Sequence, residues 1–365
     1  MTRADAWSRA SNLLCVRLDT IGDVLMTTPA LRALGEARRG RRITLLTSSA
    51  GAAVAPMLDV VDDTIVYDAP WLKASPERAE PDADLAMIGL LRARRFDAAV
   101  IFTVYSQSPL PAALTCHLAG IPLRAAHCRE KVYGLVTDRV PEPEPEQLVR
   151  HEVRRQLDLA AAVGAVGLDE RLSLAVPQRA RAEAARLLAH AAVGEEGWIV
   201  VHPGATAPSR RYPPEGYAAA VRALVERGLT VVLTGAPEEV PLVVDIQARA
   251  GAPTVSLAGR LDLAQLAAVI ERAPLLLSNN TGPAHVAAAV GTPVVDLYAL
   301  TNPQHTPWAV PARVLSHDVE CRWCYSSVCP LGHHDCLRLV PPSEVVDAVF
   351  DLLRETRTAA PAARA

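Results

Sequence analysis

The sequence contains no G-x-G-x-x-G following a strand, no G-x-x-x-x-G-K-[ST], no G-x-S-x-G and no H-E-x-x-H. These absences remove the signatures of a dinucleotide oxidoreductase, a P-loop kinase, a serine hydrolase and a zincin. No apolar run reaches the roughly 18 residues that a transmembrane helix needs. The opening MTRADAWSRASN is polar and lacks the apolar centre of a secretory signal. The formal net charge is −3 and 21% of the residues are charged, which is not the electrostatic footprint of a nucleic-acid-binding protein. The expectation is a cytoplasmic chain with no nucleic-acid partner. Peripheral membrane contact stays open, although no basic amphipathic helix demands it.

What is present is enough for two domains: 365 residues, half of them hydrophobic. Short β-branched runs alternate with helical patterns, which predicts parallel sheets covered by helices. In the first half, strands are expected at 12–18, 42–48, 63–69 and 97–104. The stretch TDRVPEPEPEQ then reads as a surface connection, because alternating Pro and Glu suit neither a helix nor a sheet interior, and a helix is expected over 146–163. The second half restarts with strands at 198–204, 229–235, 254–259, 274–280 and 292–299. Helices are expected over 215–227, 238–250, 262–272 and 282–290. Two Rossmann-like domains follow, 1–172 on the acceptor side and 173–365 on the nucleotide side, with a final helix that has room to pack back on the first. Open parallel sheets bind ligands beyond the carboxyl ends of their strands, so the chemistry is expected in those loops, facing a central cleft.

Three such loops stand out. In RLDTIGDVLMTTPALRAL, Asp19 and Asp23 follow the first strand; either can cap the next helix, and a carboxylate there can also serve as a general base. In HPGATAPSRRYPPEGYA, Gly204 permits close backbone approach, Thr206 and Ser209 offer hydroxyls, and Arg210 and Arg211 sit where a phosphate would bind. In SNNTGPAHVAAAVGTPVV, Asn280, Thr281 and Gly282 open a helix whose amides and dipole attract an anion, with His285 one turn on. The set suits group transfer with a diphosphate leaving group, the cations and amides taking the developing charge.

Together with TGAPEE and CPLGHHDCL, these segments resemble glycosyltransferase family 9, the heptosyltransferase-like enzymes of the GT-B fold, in the family's order over nearly the whole chain. The resemblance implies an inverting transfer from a nucleotide-activated sugar, with ADP-heptose the favoured donor, to a hydroxyl of a glycan or a small-molecule acceptor, as in lipopolysaccharide biosynthesis. It makes Asp23 the catalytic base and leaves Asp19 a turn or capping role. Thr206, Arg210, Thr281, Gly282 and His285 fall on the donor phosphates, Glu238 or Glu239 on the ribose, and Leu261 along the base. Two departures are visible. Asn280-Thr281-Gly282 stands where the family carries Asp-Thr-Gly, and Arg210 stands where it often has lysine, keeping the charge and adding a planar fork.

Of the seven cysteines, Cys15, Cys116 and Cys128 are scattered, as in a reducing compartment. Cys321, Cys324, Cys329 and Cys336 are clustered in CRWCYSSVCPLGHHDC. Four such thiols can hold a structural zinc; the alternative is a set of reduced thiols, or one disulfide formed on exposure to air. The resemblance implies no cofactor and no metal at the catalytic site. Two other functions fit the same layout: a nucleotide-sugar epimerase of GT-B architecture, and a non-catalytic nucleotide-sugar binding protein.

Overall fold

Strands joined by helical crossovers pair in parallel, and both halves of the chain obey that rule in this computed structural model, which describes residues 2–72, 75 and 80–359. The chain divides into two units, Met1–Ala175 and Val176–Ala365.

In the first unit the strands are β1 (Asn12–Arg17), β2 (Arg42–Thr47), β3 (Asp63–Val66), β4 (Ala98–Ile101), β5 (Leu123–His127) and β6 (Asp138–Val140). They form one sheet in the order β3-β2-β1-β4-β5-β6, every pair parallel. The central β1 is buried from Leu13 to Arg17, as a strand covered on both faces must be. After it the helix Ile21–Glu36 turns Val24, Leu25 and Met26 into the core and packs on the helix Glu152–Ala162.

The segment TDRVPEPEPEQ corrects the sequence reading. Asp138–Val140 pairs with Ala125–His127 as the edge strand, which is tolerated because the first proline comes only at Pro141 and an edge strand uses one side of its ladder. Glu144 is fully buried and is held by Arg150, with Nη2 donating to Oε2 at 2.8 Å, so this connection is anchored from inside. The following helix starts at Glu152 instead of 146, since Pro143 and Pro145 favour an extended backbone before it.

Segment 169–175 is stitched to the first unit. The Arg32 guanidinium donates to the Asp169 and Arg171 carbonyls at 3.0 Å, the Ser173 amide donates to the Thr28 hydroxyl at 3.0 Å, and the Ala175 amide to the Met57 carbonyl at 2.8 Å. Those bonds put the division after Ala175.

In the second unit β7 (Trp198–His202), β8 (Thr230–Leu233), β9 (Val255–Ser256), β10 (Leu276–Asn279), β11 (Val294–Leu297) and β12 (Ala312–Leu315) form a parallel sheet in the order β12-β11-β10-β7-β8-β9. Counted from its own first strand, this repeats the order of the first sheet. It is the order of nucleotide-binding doubly wound folds, whose ligand crevice opens where the winding reverses. The reversal lies between β1 and β4 in the first unit and between β7 and β10 in the second. The last helix, Pro342–Ala359, packs on the helix Pro214–Glu226 and on β11 and β12 of its own unit.

Candidate functional site

At the reversal in the first unit, β1 ends in Arg17, whose side chain is wholly enclosed. A buried guanidinium needs counter-charges, and this one has three. Its Nε lies 3.1 Å from Asp19 Oδ2, its Nη2 3.1 Å from Asp23 Oδ1 and its Nη1 3.0 Å from Glu152 Oε1. Glu152 is fully buried, and it also meets Arg155 at 3.6 Å. Sequence reading found the two aspartates but missed Arg17 and Glu152; Glu152 is 135 residues from its partner, and no local pattern reveals such a pairing.

The two aspartates are used differently. Asp23 Oδ1 accepts from Arg17, and Asp23 Oδ2 accepts from the Thr20 amide at 3.1 Å and the Thr20 hydroxyl at 2.8 Å. Asp23 thus closes the first turn of the helix it was expected to open. Asp19 accepts from Gln107 Nε2 at 2.7 Å and lines a cavity of about 340 Å³ together with Trp71, Phe102, Thr103 and Ser106. Burial pushes the Asp19 carboxyl up to about 6, against the opposing pull of Arg17. The capping role given to Asp19 on sequence is therefore filled by Asp23, and Asp19 faces the cavity.

In the second unit the expected donor loops meet at the ends of β7 and β10. Asn279, fully buried, donates from Nδ2 to the Pro203 carbonyl at 2.7 Å and to the Gly204 carbonyl at 3.3 Å, while its Oδ1 accepts from the Tyr212 amide at 3.0 Å. Arg210 Nη1 donates to the Asn280 carbonyl at 3.3 Å, and Arg211 Nε to the Ala205 carbonyl at 2.7 Å. The helix Gly282–Val290 begins here with no side-chain cap from Thr281, whose hydroxyl donates instead to the Asn279 carbonyl at 3.3 Å. A helix start without a side-chain cap beside an arginine concentrates positive potential. Ser209 and Asn280 are buried, His285 is 5% exposed, and Thr206 is exposed.

Glu239 and Glu238 separate. Glu238 is exposed. Glu239 turns inward, its Oε2 accepting from the Ala236 amide at 2.9 Å and lying 3.5 Å from His202 Nε2. Burial works to raise the Glu239 carboxyl, but His202 and the Ala236 amide outweigh it and hold the group below its usual value. Gly204 lets the Glu239 carboxylate lie close against the backbone: a Cβ on it would lie 1.9 Å from Glu239 Oε1. Leu261 lies in the loop between β9 and the helix Leu263–Arg272, half-buried.

A further group escaped sequence reading. Asp296, in β11 opposite Ser278 of β10, is fully buried and neither of its carboxyl oxygens has a hydrogen-bond partner. Burial pushes it up to about 8, with Arg210 pulling the other way.

The four clustered cysteines are free thiols. Cys321 Sγ lies 3.7 Å from His333 Nε2, but among the described residues no three His, Cys, Asp or Glu side chains are placed to hold a metal ion. The four-thiol zinc arrangement is not assembled in this structure. The segment has another part to play: the Ser327 carbonyl accepts from the Ser209 amide at 3.1 Å, so the cysteine loop braces the arginine loop.

Two doubly wound halves of the same strand order are the architecture of the GT-B class. The chain belongs to glycosyltransferase family 9 (heptosyltransferase), whose family model matches residues 85–334. It is 28% identical over 215 residues to lipopolysaccharide heptosyltransferase 3 of Escherichia coli, covering 56% of this chain and 61% of the relative. It is also 28% identical to lipopolysaccharide heptosyltransferase 2 of Escherichia coli strain K12, covering 72% of this chain and 77% of that protein. The match thus spans about three-fifths of the first relative's length. Among solved structures, the E. coli ADP-heptose lps heptosyltransferase II superposes with a TM-score of 0.72 at 22% identity, over 95% of this chain and 99% of the other. That likeness supports the fold. Among the described residues no helix is long and apolar enough to cross a membrane.

Proposed function

We propose that this protein is an inverting glycosyltransferase that moves a heptose from ADP-heptose to a hydroxyl of a lipopolysaccharide-type glycan. Support for donor and acceptor class comes from the family and from what its named relatives act on. The observation that carries the reading is the meeting of Arg210 with the uncapped start of Gly282–Val290 at the ends of β7 and β10.

In this reading the donor diphosphate lies against Arg210, Thr206 and Ser209, with Arg211 on its outer side and the amides at Thr281 and Gly282 beneath it. Glu239 is the better placed of the two glutamates for the ribose, because it already sits against Gly204, and Leu261 lies along the base. His285 supports the phosphate turn from inside. As the acceptor oxygen attacks the anomeric carbon, its proton passes to Asp23, the new C–O bond forms, and the anomeric C–O bond to the diphosphate breaks on the opposite face. ADP leaves with the bonding pair, its charge met by Arg210 and the helix start. None of these steps requires a metal; a zinc held by Cys321, Cys324, Cys329 and Cys336 would be structural. The cytoplasm is the compartment where such a donor and free thiols coexist.

Thermal-shift titration against ADP-, GDP-, UDP- and dTDP-sugars tests the reading. A ligand that binds only the folded state stabilises it by about 2.7 kcal/mol at one hundred times its Kd, and ADP-heptose is expected to give the largest shift. Preference for a uridine nucleotide overturns the donor. Release of an epimerised sugar without any acceptor would indicate the epimerase, and binding without turnover a binding protein.

A further inference from the structure

The cavity at the strand reversal of the first unit has a composition that the heptosyl-transfer reading does not explain. Its lining combines the apolar side chains of Trp71, Leu72 and Phe102 with the polar ones of Asp19, Gln107 and Ser106. At about 340 Å³ it lies near the lower end of the roughly 300–1,000 Å³ found for small-ligand sites, which suits one sugar ring better than an oligosaccharide. It opens at the carboxyl ends of β1 and β4, where the fold places ligands.

Aromatic side chains that share a cavity with a carboxylate and an amide supply the chemistry that recognises a polyol with an apolar face. The ring C–H groups lie on the indole, which is 37% exposed and braced edge-on by Tyr67 at a centroid distance of 5.8 Å. The hydroxyls meet acceptor-only carboxylate oxygens and a carboxamide that both donates and accepts. Asp19 and Gln107 are already joined at 2.7 Å, so the pair is preorganised to grip adjacent hydroxyls. Asp19 is also the ionisable group among the described cavity-lining residues, and its charge repels an anionic ligand.

We infer that Asp19 and Gln107, with Trp71 beneath the ring, form the acceptor subsite, and that they select a neutral sugar ring over one carrying a carboxylate. This rests on the transferase reading and deepens it. Asp19 is thereby an acceptor-binding residue, and the turn role given to it on sequence passes to Asp23 and Thr20. The groups facing Asp19 are Arg17, Asp23, Glu152 and Gln107. Arg17 holds Asp19 Oδ2, Asp23 and Glu152 at once, and Gln107 holds Asp19 Oδ1, so each Asp19 oxygen has one partner and keeps accepting capacity for a ligand hydroxyl.

The test uses the full chain and two probes, methyl heptopyranoside and the matching methyl heptopyranosiduronate, followed by saturation-transfer NMR and calorimetry, with ADP-heptose titrated in parallel. Wild type should bind the neutral probe, and D19A and W71A should each weaken it by about tenfold or more while still binding ADP-heptose as wild type does. The uronate should bind at least tenfold more weakly to wild type, and D19N should narrow that gap. Equal binding of the two probes to wild type, undiminished binding by D19A and W71A, or no binding of the neutral probe overturns the inference. Failure of wild type to bind ADP-heptose overturns the transferase reading instead. The two failures are therefore told apart by which titration is silent.

Discussion

Asp19 and Asp23 share one cation: both carboxylates lie 3.1 Å from the guanidinium of Arg17, a side chain with no exposure to solvent. The sharing lets two acids stand four residues apart at the end of one strand without repelling each other out of place, and it ties them to Glu152. Whatever either acid does depends on that arginine.

Arg17→Met should therefore be strongly destabilising, since it strands three carboxylates around a position that water reaches poorly. Breaking a buried pair by removing one partner typically costs about 3–5 kcal/mol. Arg17→Lys, a point charge without the fork, should fall between that variant and wild type. Urea denaturation of the three proteins orders them; an Arg17→Met midpoint equal to wild type would show that the network carries no stability.

Replacing Asp23 by Asn keeps an oxygen for the Thr20 amide and hydroxyl, so the helix start should survive. The proton acceptor is lost. Transfer should fall by about 10²- to 10⁴-fold, the usual worth of a general base, with donor affinity little changed. Steady-state kinetics with a working acceptor decide it, and a near wild-type kcat would move the base elsewhere.

Asp296 gives a prediction in pH. Its ordinary value is 3.8 and burial pushes it to about 8 in the fold, so between those values the native state holds a proton that the unfolded chain has released. The stability associated with this group is full below its ordinary value and is lost as pH rises through about 8. Asp296→Asn, which needs no proton to be neutral, should lose less stability than wild type between mildly acidic and alkaline buffer. Parallel urea titrations at the two ends of that window measure the difference, and identical slopes would reject the assignment.

Gly204→Ala should separate stability from binding. The new methyl collides with the Glu239 carboxylate, the mobile end of a side chain, so the fold can yield by swinging Glu239 away from His202. The melting temperature should change little while nucleotide affinity drops by about tenfold, the scale of one lost charge-assisted hydrogen bond. Unchanged affinity would show that Glu239 does not touch the donor.

Much of this was readable in the chain. The alternation of β-branched runs with helical patterns located the strands of both sheets apart from β5, β6 and β12, and the helix Gly282–Val290 was read to the residue. β5 escaped because Leu-Arg-Ala-Ala-His has no β-branched residue; its Arg124 is buried by donating to the Gly134 carbonyl at 2.8 Å, a contact no local pattern announces. β6 was hidden by the prolines that follow it. The loops carrying Arg210 and Asn280 were legible because glycine, hydroxyl and arginine after a strand have few other uses. Arg17, Glu152, Gln107 and Asp296 were not, because each acquires its meaning from a partner on another element. The placement of Asp19 has the same origin: a capping acid and a cavity-lining acid look alike until Gln107 is in place.

The two sheets repeat one strand order, yet their reversal points carry opposite signs. In the first unit the loops after β1 bring carboxylates; in the second the loops after β7 and β10 bring an arginine and a helix start with no side-chain cap. One architectural plan used twice has thus become a pair of electrostatic poles, an electron-rich one suited to taking a proton and an electron-poor one suited to holding a departing anion. Specialisation of this kind resides in a few strand-end residues. The loops of either half are accordingly open to redesign without disturbing the sheet beneath them.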